Sequence, residues 1–541
     1  MKQKVWEIQN ELKKQNIIDV LLQNRGLTSK SLQNEFFNPV RPIDLNLKDL
    51  GISLKEMKKA LDRIKEAKEK KEKVIIYGDY DADGVSATAI AWEAVHGFGA
   101  DVLPYIPDRF KEGYGINSKT IEVLKSKEPL IKLIITVDNG IVANEAIETA
   151  NKLGIDVIVT DHHLASNKKP AALAIIHTTQ IAGSAVAWIL GRELGITTGL
   201  ELSAIGTIAD QMPLTFANRS FAKYGLTELH KTKRVGLIEL AREAAIKIEE
   251  AGTYEVNYII APRINSMGRL MHAIDSLRLL CIKDKKRAKE LASLVSKTNI
   301  ERQKIVDEVL AKALKKAHSS ALLEGIIFIS DEKYHEGVIG LAAGRLVEEF
   351  WRPAIVVSKG KKFSKGSARS ISGFNIIEAI REQSFLLSAH GGHAMAAGFT
   401  IESAKLEEFE IKLNEATKKK LTGELLSRKL KIDCEISFNK IDWELTRKIK
   451  EFEPTGIGNP MPTFVTYQAE VVQIKLLGSQ KNHLKLKLKK DNKFFDAIGF
   501  NMGEAFKDLK ENLKIDIAYN IDENEWNGVK SLQLRLKDIK Y

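Results

Sequence analysis

Four short clusters carry side chains able to hold divalent cations. They read Gly78-Asp-Tyr-Asp-Ala-Asp-Gly84, Thr136-Val-Asp-Asn-Gly140, Thr160-Asp-His-His163 and Ala204-Ile-Gly-Thr-Ile-Ala-Asp210. Carboxylates crowded into one site repel one another unless cations neutralise them. Carboxylate oxygens joined by one or two imidazoles suit Mn2+ or Mg2+ better than a thiolate-seeking metal. A pair of such ions bridged by a shared Asp activates water and stabilises the leaving oxygen of a phosphoryl transfer. The first cluster also begins like a calcium-binding loop. Ile90, however, stands at the twelfth position, where a bidentate Glu is needed, and the cluster follows a strand rather than a helix. Taken singly, each cluster is a weak signal. An Asp after a strand is often a helix N-cap, and that is the ordinary reading of Asp161.

The elements that must position these clusters show in the hydrophobic pattern. From Lys73, short β-branched runs alternate with helical stretches: Lys73-Val-Ile-Ile-Tyr-Gly78, Asp101-Val-Leu-Pro-Tyr-Ile106, Leu130-Ile-Lys-Leu-Ile-Ile-Thr-Val137, Gly154-Ile-Asp-Val-Ile-Val-Thr160 and Leu173-Ala-Ile-Ile-His177. The spacing predicts βα units in a buried parallel sheet. Three of the clusters fall where predicted strands stop, and open α/β sheets bind ligands outside the carboxyl ends of their strands. Residues 182–230 and 235–320 read as helical. Within the second, Leu291, Leu294, Val295, Ile305, Val306, Val309, Leu310 and Leu314 recur at threes and fours, the apolar stripe of one long helix. That helix is expected to be a strut between two lobes. A second mixed α/β segment runs from Gly325 to about Lys420, and residues 1–70 read as small helices, with a solvated charged face over Lys55–Lys73.

The last segment changes texture again. His483-Leu-Lys-Leu-Lys-Leu-Lys489 and Leu532-Gln-Leu-Arg-Leu-Lys537 alternate with period two, as antiparallel strands with one buried face do. Asn524-Glu-Trp-Asn-Gly528 and Gly478-Ser-Gln480 are turn material. Seven Lys and one Asp lie between Val471 and Phe495, near Phe494, Phe495, Phe500, Tyr519 and Trp526. A basic face with aromatics suits backbone tracking with base stacking.

Composition bounds the function class. The chain has 541 residues, enough for three or four domains, with 44% hydrophobic and 28% charged residues. These values exclude global disorder. Lys+Arg 83 against Asp+Glu 71 leaves +12, a balance that favours a polyanionic partner or simple solubility. Two cysteines, Cys281 and Cys434, make neither a disulfide framework nor a four-thiolate zinc site. The N-terminus lacks an apolar core of the signal-peptide kind, and no apolar run reaches the ~18 residues that span a bilayer. The expectation is a cytoplasmic protein without membrane contact.

Taken together, Asp79-Tyr-Asp-Ala-Asp-Gly84, Val137-Asp-Asn-Gly140, Asp161-His-His163 and Gly206-Thr-Ile-Ala-Asp210 resemble the four motifs of the DHH phosphoesterases. Further stretches resemble its RecJ branch. They are Pro107-Asp-Arg-Phe-Lys-Glu-Gly-Tyr-Gly115, Ala261-Pro-Arg-Ile-Asn-Ser-Met-Gly-Arg269, His335-Glu-Gly-Val-Ile-Gly340, Lys365-Gly-Ser-Ala-Arg-Ser370, Gly391-Gly-His-Ala-Met-Ala-Ala-Gly398 and Glu453-Pro-Thr-Gly-Ile-Gly-Asn-Pro460. The resemblance covers roughly residues 40–541, in the family's order. One stretch departs from it: Ile176-His-Thr-Thr-Gln-Ile-Ala-Gly183 stands where the family usually carries Asn-Pro.

The resemblance implies an α/β phosphoesterase core of two lobes, DHH and DHHA1, joined by a long helix, with a C-terminal antiparallel OB-type barrel. The implied domains are 1–70, 71–230 (DHH), 231–322 (helical connector), 323–420 (DHHA1) and 421–541 (OB). The implied activity is metal-dependent hydrolysis of single-stranded DNA, 5′→3′, to 5′-mononucleotides, in DNA repair and recombination. Asp79, Asp81, Asp138, His162 and Asp210 are the implied ligands of two Mn2+ or Mg2+ ions, with Asp138 bridging; Asp83 is a further ligand or an outer-shell acid. His163 is expected to meet the substrate phosphate, as is His393 on its glycine-rich bend. Gly366-Ser-Ala-Arg-Ser370 has the parts of an anion cradle, in which Ser367, Arg369 and Ser370 grip a phosphate with Arg109 and Arg269 as helpers. On local sequence alone a simple Ser/Gly turn is the stronger reading. If both groups serve one site, a cleft too narrow for duplex gives strand specificity. Single-stranded DNA is the expected partner, with a helicase and a single-strand-binding protein as suppliers, and the expected state is a monomer. Two rivals stand beside this reading: a phosphoesterase of short oligonucleotides or cyclic dinucleotides, and a non-catalytic single-strand-binding scaffold.

Overall fold

The structure, a computed structural model, describes residues 4–12, 16–318, 325–478 and 480–541, without the side chains of 316–318 and Trp526. The expected boundary at 322/323, Ser479 of the expected turn, and the Trp526 ring lie outside what is described. The chain divides into two compact units: Leu27–Glu301 with Phe452–Pro460, and Met1–Gly26 with Arg302–Glu451 and Met461–Tyr541.

The expected all-helical start is corrected at once. Residues Val5–Ile8 form a strand, β1, paired in parallel with Lys429–Ile432. Its Trp6 donates Nε1–H to Asp538 at 2.8 Å and packs beside Val465 and Ala518. Such distant contacts override local propensity. Helices Ile17–Asn24, Lys30–Phe37 and Leu54–Glu69 follow as expected.

The first unit is built on five parallel strands: β2 (Lys73–Tyr77), β3 (Asp101–Tyr105), β4 (Ile131–Val137), β5 (Asp156–Asp161) and β6 (Ala174–His177), in the order β3-β2-β4-β5-β6. Residues alternate between two cores. Val74, Ile76, Leu133, Ile135 and Ile158 face one; Ile75, Tyr77, Ile134, Val157 and Val159 face the other. Burial on both faces explains the unbroken apolar runs. The chain moves from β2 to β3 on one side and then to β4 on the other, so the sheet reverses direction between β2 and β4. That reversal opens a crevice at the strand ends, where such folds bind ligands. Around the sheet lie helices α1 (Ala82–Phe98), α2 (Gly183–Glu193), α3 (Leu200–Ala209), α4 (Phe216–Leu229) and α5 (Ala261–Leu270). The long helix α6 spans Lys285–His318, and the partition between the units falls within it, after Glu301. The stretch expected to be helical from 235 is broken before α6 into short helices, including a π-helix at Val256–Ile260.

The second unit holds two larger sheets. One joins β7 (Ile327–Asp331), β8 (Ala354–Ser358), β9 (Phe363–Arg369), β10 (Leu387–His393) and β11 (Ala396–Glu402) in the order β10-β11-β9-β8-β7. After β12 (Lys429–Ile432) comes the barrel: β13 (Cys434–Glu435), β14 (Phe464–Leu477), β15 (His483–Lys490), β16 (Lys493–Gly499), β17 (Lys514–Trp526) and β18 (Val529–Lys540). Pairing of β14 with β17 closes five of these strands into an OB-type barrel. The sheet is not wholly antiparallel, because β16 and β18 pair in parallel. The β17–β18 hairpin must return its second strand beside β16 for the barrel to close. Register shifts at Thr466/Ala469 and Val471/Gln473 bend the long β14 so that it serves two partners.

Candidate metal centre

Four elements bring the acids and imidazoles to the crevice between β2 and β4. The loop after β2 carries Asp79 and Asp81, and Asp81 caps α1 by accepting Gly84 N–H at 3.0 Å. Asp138 follows β4 with φ of 62°, a left-handed conformation that Asp tolerates better than most residues. Asn139 fixes this turn by donating to Tyr77 O and Val137 O. His162 and His163 follow β5, and Asp210 ends α3. Two glycines make the approach possible. A Cβ on Gly183 would stand 2.4 Å from Asp138 Oδ1, and one on Gly206 would stand 2.1 Å from Asp83 Oδ1.

The groups form three overlapping triads: Asp79–Asp81–Asp138, Asp138–His162–His163 and Asp83–His162–Asp210, each with ligand atoms within 4.8 Å of one another. His162 Nε2 lies 3.1 Å from Asp138 Oδ1, 3.7 Å from Asp210 Oδ2 and 3.9 Å from Asp83 Oδ2. Asp138 and His162 each belong to two triads.

The electrostatics fit a cation. Asp79 Oδ1 and Asp138 Oδ1 are buried without a hydrogen-bond partner; His162 Nε2, though close, is not aligned with Asp138 as a donor. Burial first, then the neighbouring carboxylates, pushes Asp138 well above the usual carboxylate range. Asp79 rises for the same reasons, with Asp81 its main repelling neighbour. Asp210, a third of whose side chain is open to solvent, is pushed up to about 8 by desolvation and by Asp83 and Asp81. Buried acceptors without donors and mutually repelling acids are costly unless positive charge occupies the space. Hard oxygen donors with an imidazole match Mn2+ and Mg2+.

Asp83 is differently engaged. Its two oxygens accept Gly183 N–H at 2.7 Å and Ser184 N–H at 3.1 Å, at the start of α2. Asp161 is not the helix cap that an Asp after a strand often is. Its carboxylate accepts backbone N–H groups of His162, His163 and Ile141, and binds His163 Nδ1 at 2.8 Å. Burial alone would lower His163, but the Asp161 bond and charge win and raise it to about 9. Tyr114 OH lies 3.2 Å from His163 Nε2. Tyr114 stands in one of the quoted motifs, but nothing in its spacing marked it as a neighbour of His163. The divergent stretch also finds its place, since His177 Nε2 meets His163 O at 2.7 Å. Arg109 stacks over the Tyr80 ring at 5.0 Å, and both Arg109 and Arg269 act electrostatically on the Tyr80 phenol. Arg109 therefore stands beside the first acidic loop.

The remaining expected site residues lie in the second unit. Gly366-Ser-Ala-Arg369 is not a glycine-rich loop. It lies in β9, whose backbone is paired on both sides with β8 and β11, so its N–H groups are not free to cradle an anion. Gly366 makes room for an aromatic: a Cβ there would sit 2.1 Å from the Phe399 ring. Ser367 and Arg369 lie on the strand, with Arg369 Nη1 3.3 Å from Ser367 Oγ. Ser370 is buried, and its hydroxyl donates to Phe374 O at 2.6 Å, which commits it to its own turn. His393 ends β10 beside the hairpin to β11 and is exposed. On the barrel, Leu484, Leu486 and Leu488 are buried while Lys485, Lys487 and Lys489 alternate with them. Lys487 and Lys489 lie 5.8 and 5.7 Å from the ring of Phe494, which is half exposed. Phe500 is also exposed, with Arg535 over it. Tyr519 is not a stacking platform: it is fully buried, and its hydroxyl pairs with Thr466.

Comparison with known proteins follows this layout. Family models match at residues 73–207 (DHH family, N-terminal domain), 320–419 (DHHA1 domain) and 432–538 (RecJ OB domain). A curated relative from Haemophilus influenzae, single-stranded-DNA-specific exonuclease RecJ, is 32% identical over 92% of this chain and 94% of its own length. The chain belongs to the RecJ family. The RecJ of Bacillus subtilis is 38% identical over 90% of this chain, which spans 63% of that longer relative. The crystal structure of RecJ in complex with Mn2+ from Thermus thermophilus superposes with a TM-score of 0.83 at 28% identity, covering 100% of this chain and 80% of that one. A Mg2+ complex of RecJ from the same organism gives 0.77 at 27% identity, covering 99% of this chain and 78% of that one. Among the described residues, no helix is long and apolar enough to cross a membrane.

Proposed function

We propose that this RecJ-family chain is a metal-dependent exonuclease that hydrolyses single-stranded DNA from the 5′ end to 5′-mononucleotides, in DNA repair and recombination. The observation that carries the reading is the convergence of Asp79, Asp81, Asp138, His162 and Asp210 on overlapping ligand triads. It occurs in a chain whose relatives are named for single-stranded-DNA exonuclease activity.

Those five residues would hold two Mn2+ or Mg2+ ions, with Asp138 shared. Bound ions supply Lewis-acid stabilisation of the scissile phosphate and a more acidic water. The chain's own side chains do the rest. Asp83 accepts two N–H groups at the start of α2 and so fixes that helix beside the acids, and it is either a further ligand beside His162 and Asp210 or an outer-shell acid. Asp161 holds the His163 ring, and His163 donates to a non-bridging phosphate oxygen. His393 serves the same phosphate. Arg109 and Arg269 contribute positive charge beside the acidic loop, and Ser367 and Arg369 grip the terminal phosphate. The lysines and exposed phenylalanines of the barrel track the strand. The protein works as a cytoplasmic monomer on strands supplied by a helicase or a single-strand-binding protein. The expected domains are those of the sequence, with 452–460 serving the first unit.

The test is digestion with Mn2+ of single strands labelled at the 5′ or the 3′ end, and of blunt duplex. Release of 5′-labelled mononucleotide first, from single strands only, is expected. Release from the 3′ end first, or equal attack on duplex, overturns the proposal.

A further inference from the structure

We infer that Asn265 is the positioning residue that holds the Asp81-Ala82-Asp83 turn of the metal centre in place. The inference rests on the metal-site reading above and adds to it a side chain from outside the DHH model, which ends at residue 207.

The first N–H groups of a helix have no acceptor inside the helix. At the start of α1, Asp81 satisfies Gly84 N–H, three residues on. Ala82 N–H is served from elsewhere: it donates to Asn265 Oδ1 at 2.8 Å, across a sequence separation of 183. The peptide so gripped joins Asp81 to Ala82, directly between two acids of the cluster. Gly268 lies one turn further along α5 and touches the same loop. A Cβ there would stand 2.5 Å from Tyr80 O and 3.2 Å from Tyr80 Cβ. Residues three apart share a helix face, so one face of α5 bears on the loop at Tyr80 and at Ala82.

Two features argue that this arrangement is built for placement. The π-helix Val256–Ile260 directly precedes α5. An extra residue in a turn rotates all that follows by about 100°, one residue's share of a 3.6-residue turn. The insertion therefore sets which face of α5 meets the loop. The second feature is charge. A carboxylate could accept Ala82 N–H equally well, but it would add a further negative charge beside acids that already repel one another. An amide supplies the acceptor without that charge.

The test measures Mn2+ binding by electron paramagnetic resonance on full-length protein without DNA, together with turnover and KM for single-stranded DNA at saturating Mn2+. Removing a group that orients a metal ligand costs about 10–100-fold in metal affinity. Asn265→Ala is expected to bind Mn2+ that much more weakly, with KM for DNA near wild type and a urea midpoint lowered by the loss of the acceptor for Ala82 N–H. Asn265→Asp keeps the acceptor and is expected to bind at least as tightly as wild type. Gly268→Ala, which leaves Asn265 in place but pushes on Tyr80, is expected to weaken Mn2+ in the same way and carries the test if Asn265→Ala does not fold. Wild-type Mn2+ affinity in Asn265→Ala, or a raised KM with unchanged Mn2+ binding, overturns the inference. Wild-type protein that binds no Mn2+ overturns the metal reading itself, a result distinguishable from the first.

Discussion

Asp161 Oδ1 accepts Nδ1–H of His163 at 2.8 Å and, with the same oxygen, the backbone N–H of His162 at 2.7 Å. One buried carboxylate therefore aims the neighbouring imidazole and shapes the turn that presents His162 to Asp138. The first residue of the Asp-His-His triplet belongs to none of the three ligand triads, yet both histidines depend on it. Burial would raise its pKa, but the His163 bond and charge with backbone donors hold it below the usual carboxylate range.

Asp161→Asn tests this directly. The amide brings an N–H₂ group into a nest of donors, so at least one buried N–H loses its acceptor, at a cost of about 1–3 kcal/mol. His163 loses its anionic partner. Turnover at saturating Mn2+ is expected to fall about 10–100-fold, the usual scale for a group that orients a ligand from behind. Single-turnover kinetics with urea unfolding separates the two effects, and wild-type turnover would refute the assignment.

Asp138→Asn separates catalysis from stability. Asn occupies left-handed backbone as readily as Asp, so the turn at φ 62° survives. Activity is expected to drop more than about 100-fold, beyond the cost of removing an orienting neighbour. In the metal-free protein the change removes a buried carboxyl whose ionised form burial and the neighbouring acids disfavour, a cost to folding at neutral pH. The melting temperature without metal should rise, by about 2–4 °C for each kcal/mol recovered. Differential scanning calorimetry in EDTA reads it, and a lower Tm contradicts the crowding argument.

How much was legible in the sequence follows from the range of the interactions. The five parallel strands and the acids at their ends show in local runs, because a buried parallel strand is apolar throughout and its polar residues can appear only where it stops. The strand at Val5–Ile8 was not legible, since its partner Lys429–Ile432 lies more than four hundred residues away. The Gly366–Ser370 segment read as a loop because small residues suit one, yet the glycine answers to the Phe399 ring across the sheet. Tyr519 read as an exposed aromatic, but closure of β14 on β17 places it inside the barrel. Asp161 accepts Ile141 N–H and Asn265 accepts Ala82 N–H, backbone groups of other segments, and spacing alone carries no sign of that.

The barrel face predicts a salt signature. Lys487→Ala/Lys489→Ala removes two cations that lie beside the exposed Phe494 ring. For each phosphate that thereby goes unneutralised, the slope of log K against log salt should become shallower by about 0.7 on a single strand. Phe494→Ala should cost about 1–3 kcal/mol of binding with little change in slope. Fluorescence anisotropy over a salt series distinguishes these, whereas turnover on a dinucleotide should stay unchanged.

The two thiols report on the two units separately. Burial pushes Cys281, in the first unit, and Cys434, in the barrel, up to about 12. A thiol whose pKa is raised on folding stays neutral well above its unfolded value near 9, so it neither stabilises nor destabilises the fold below that pH. Above it, stability falls as pH climbs from 9 towards 12. At pH 8 both thiols should resist iodoacetamide in the native protein and react on unfolding. Mass-spectrometric labelling along a urea gradient then gives a midpoint for each unit, and rapid native labelling of Cys434 would argue against a closed barrel.

Arg219 is the strongest stability prediction. Its guanidinium is buried, sits 3.8 Å over the Phe36 ring, and donates to Phe36 O, Phe452 O, Glu453 O and Pro454 O. Asn459 secures the same segment by donating to Phe452 O and Pro454 O. Leu214 N–H binds Ile457 O close after Asp210, and Thr253 Oγ1 binds Thr455 O just ahead of the π-helix that leads into α5. The segment 452–460 thus ties together two stretches that lead to metal-site residues. Arg219→Ala removes four hydrogen bonds from a charged donor, worth about 1.5–3 kcal/mol each; although Phe452 O and Pro454 O keep Asn459, a loss of at least about 3 kcal/mol is expected after partial relaxation. Arg219→Lys cannot reproduce the planar fork and should recover only part of it. Because the segment supports elements near Asp210 and α5, Mn2+ affinity should weaken with stability in both variants. A destabilised Arg219→Ala that bound Mn2+ like wild type would show that 452–460 stabilises the unit without shaping the site.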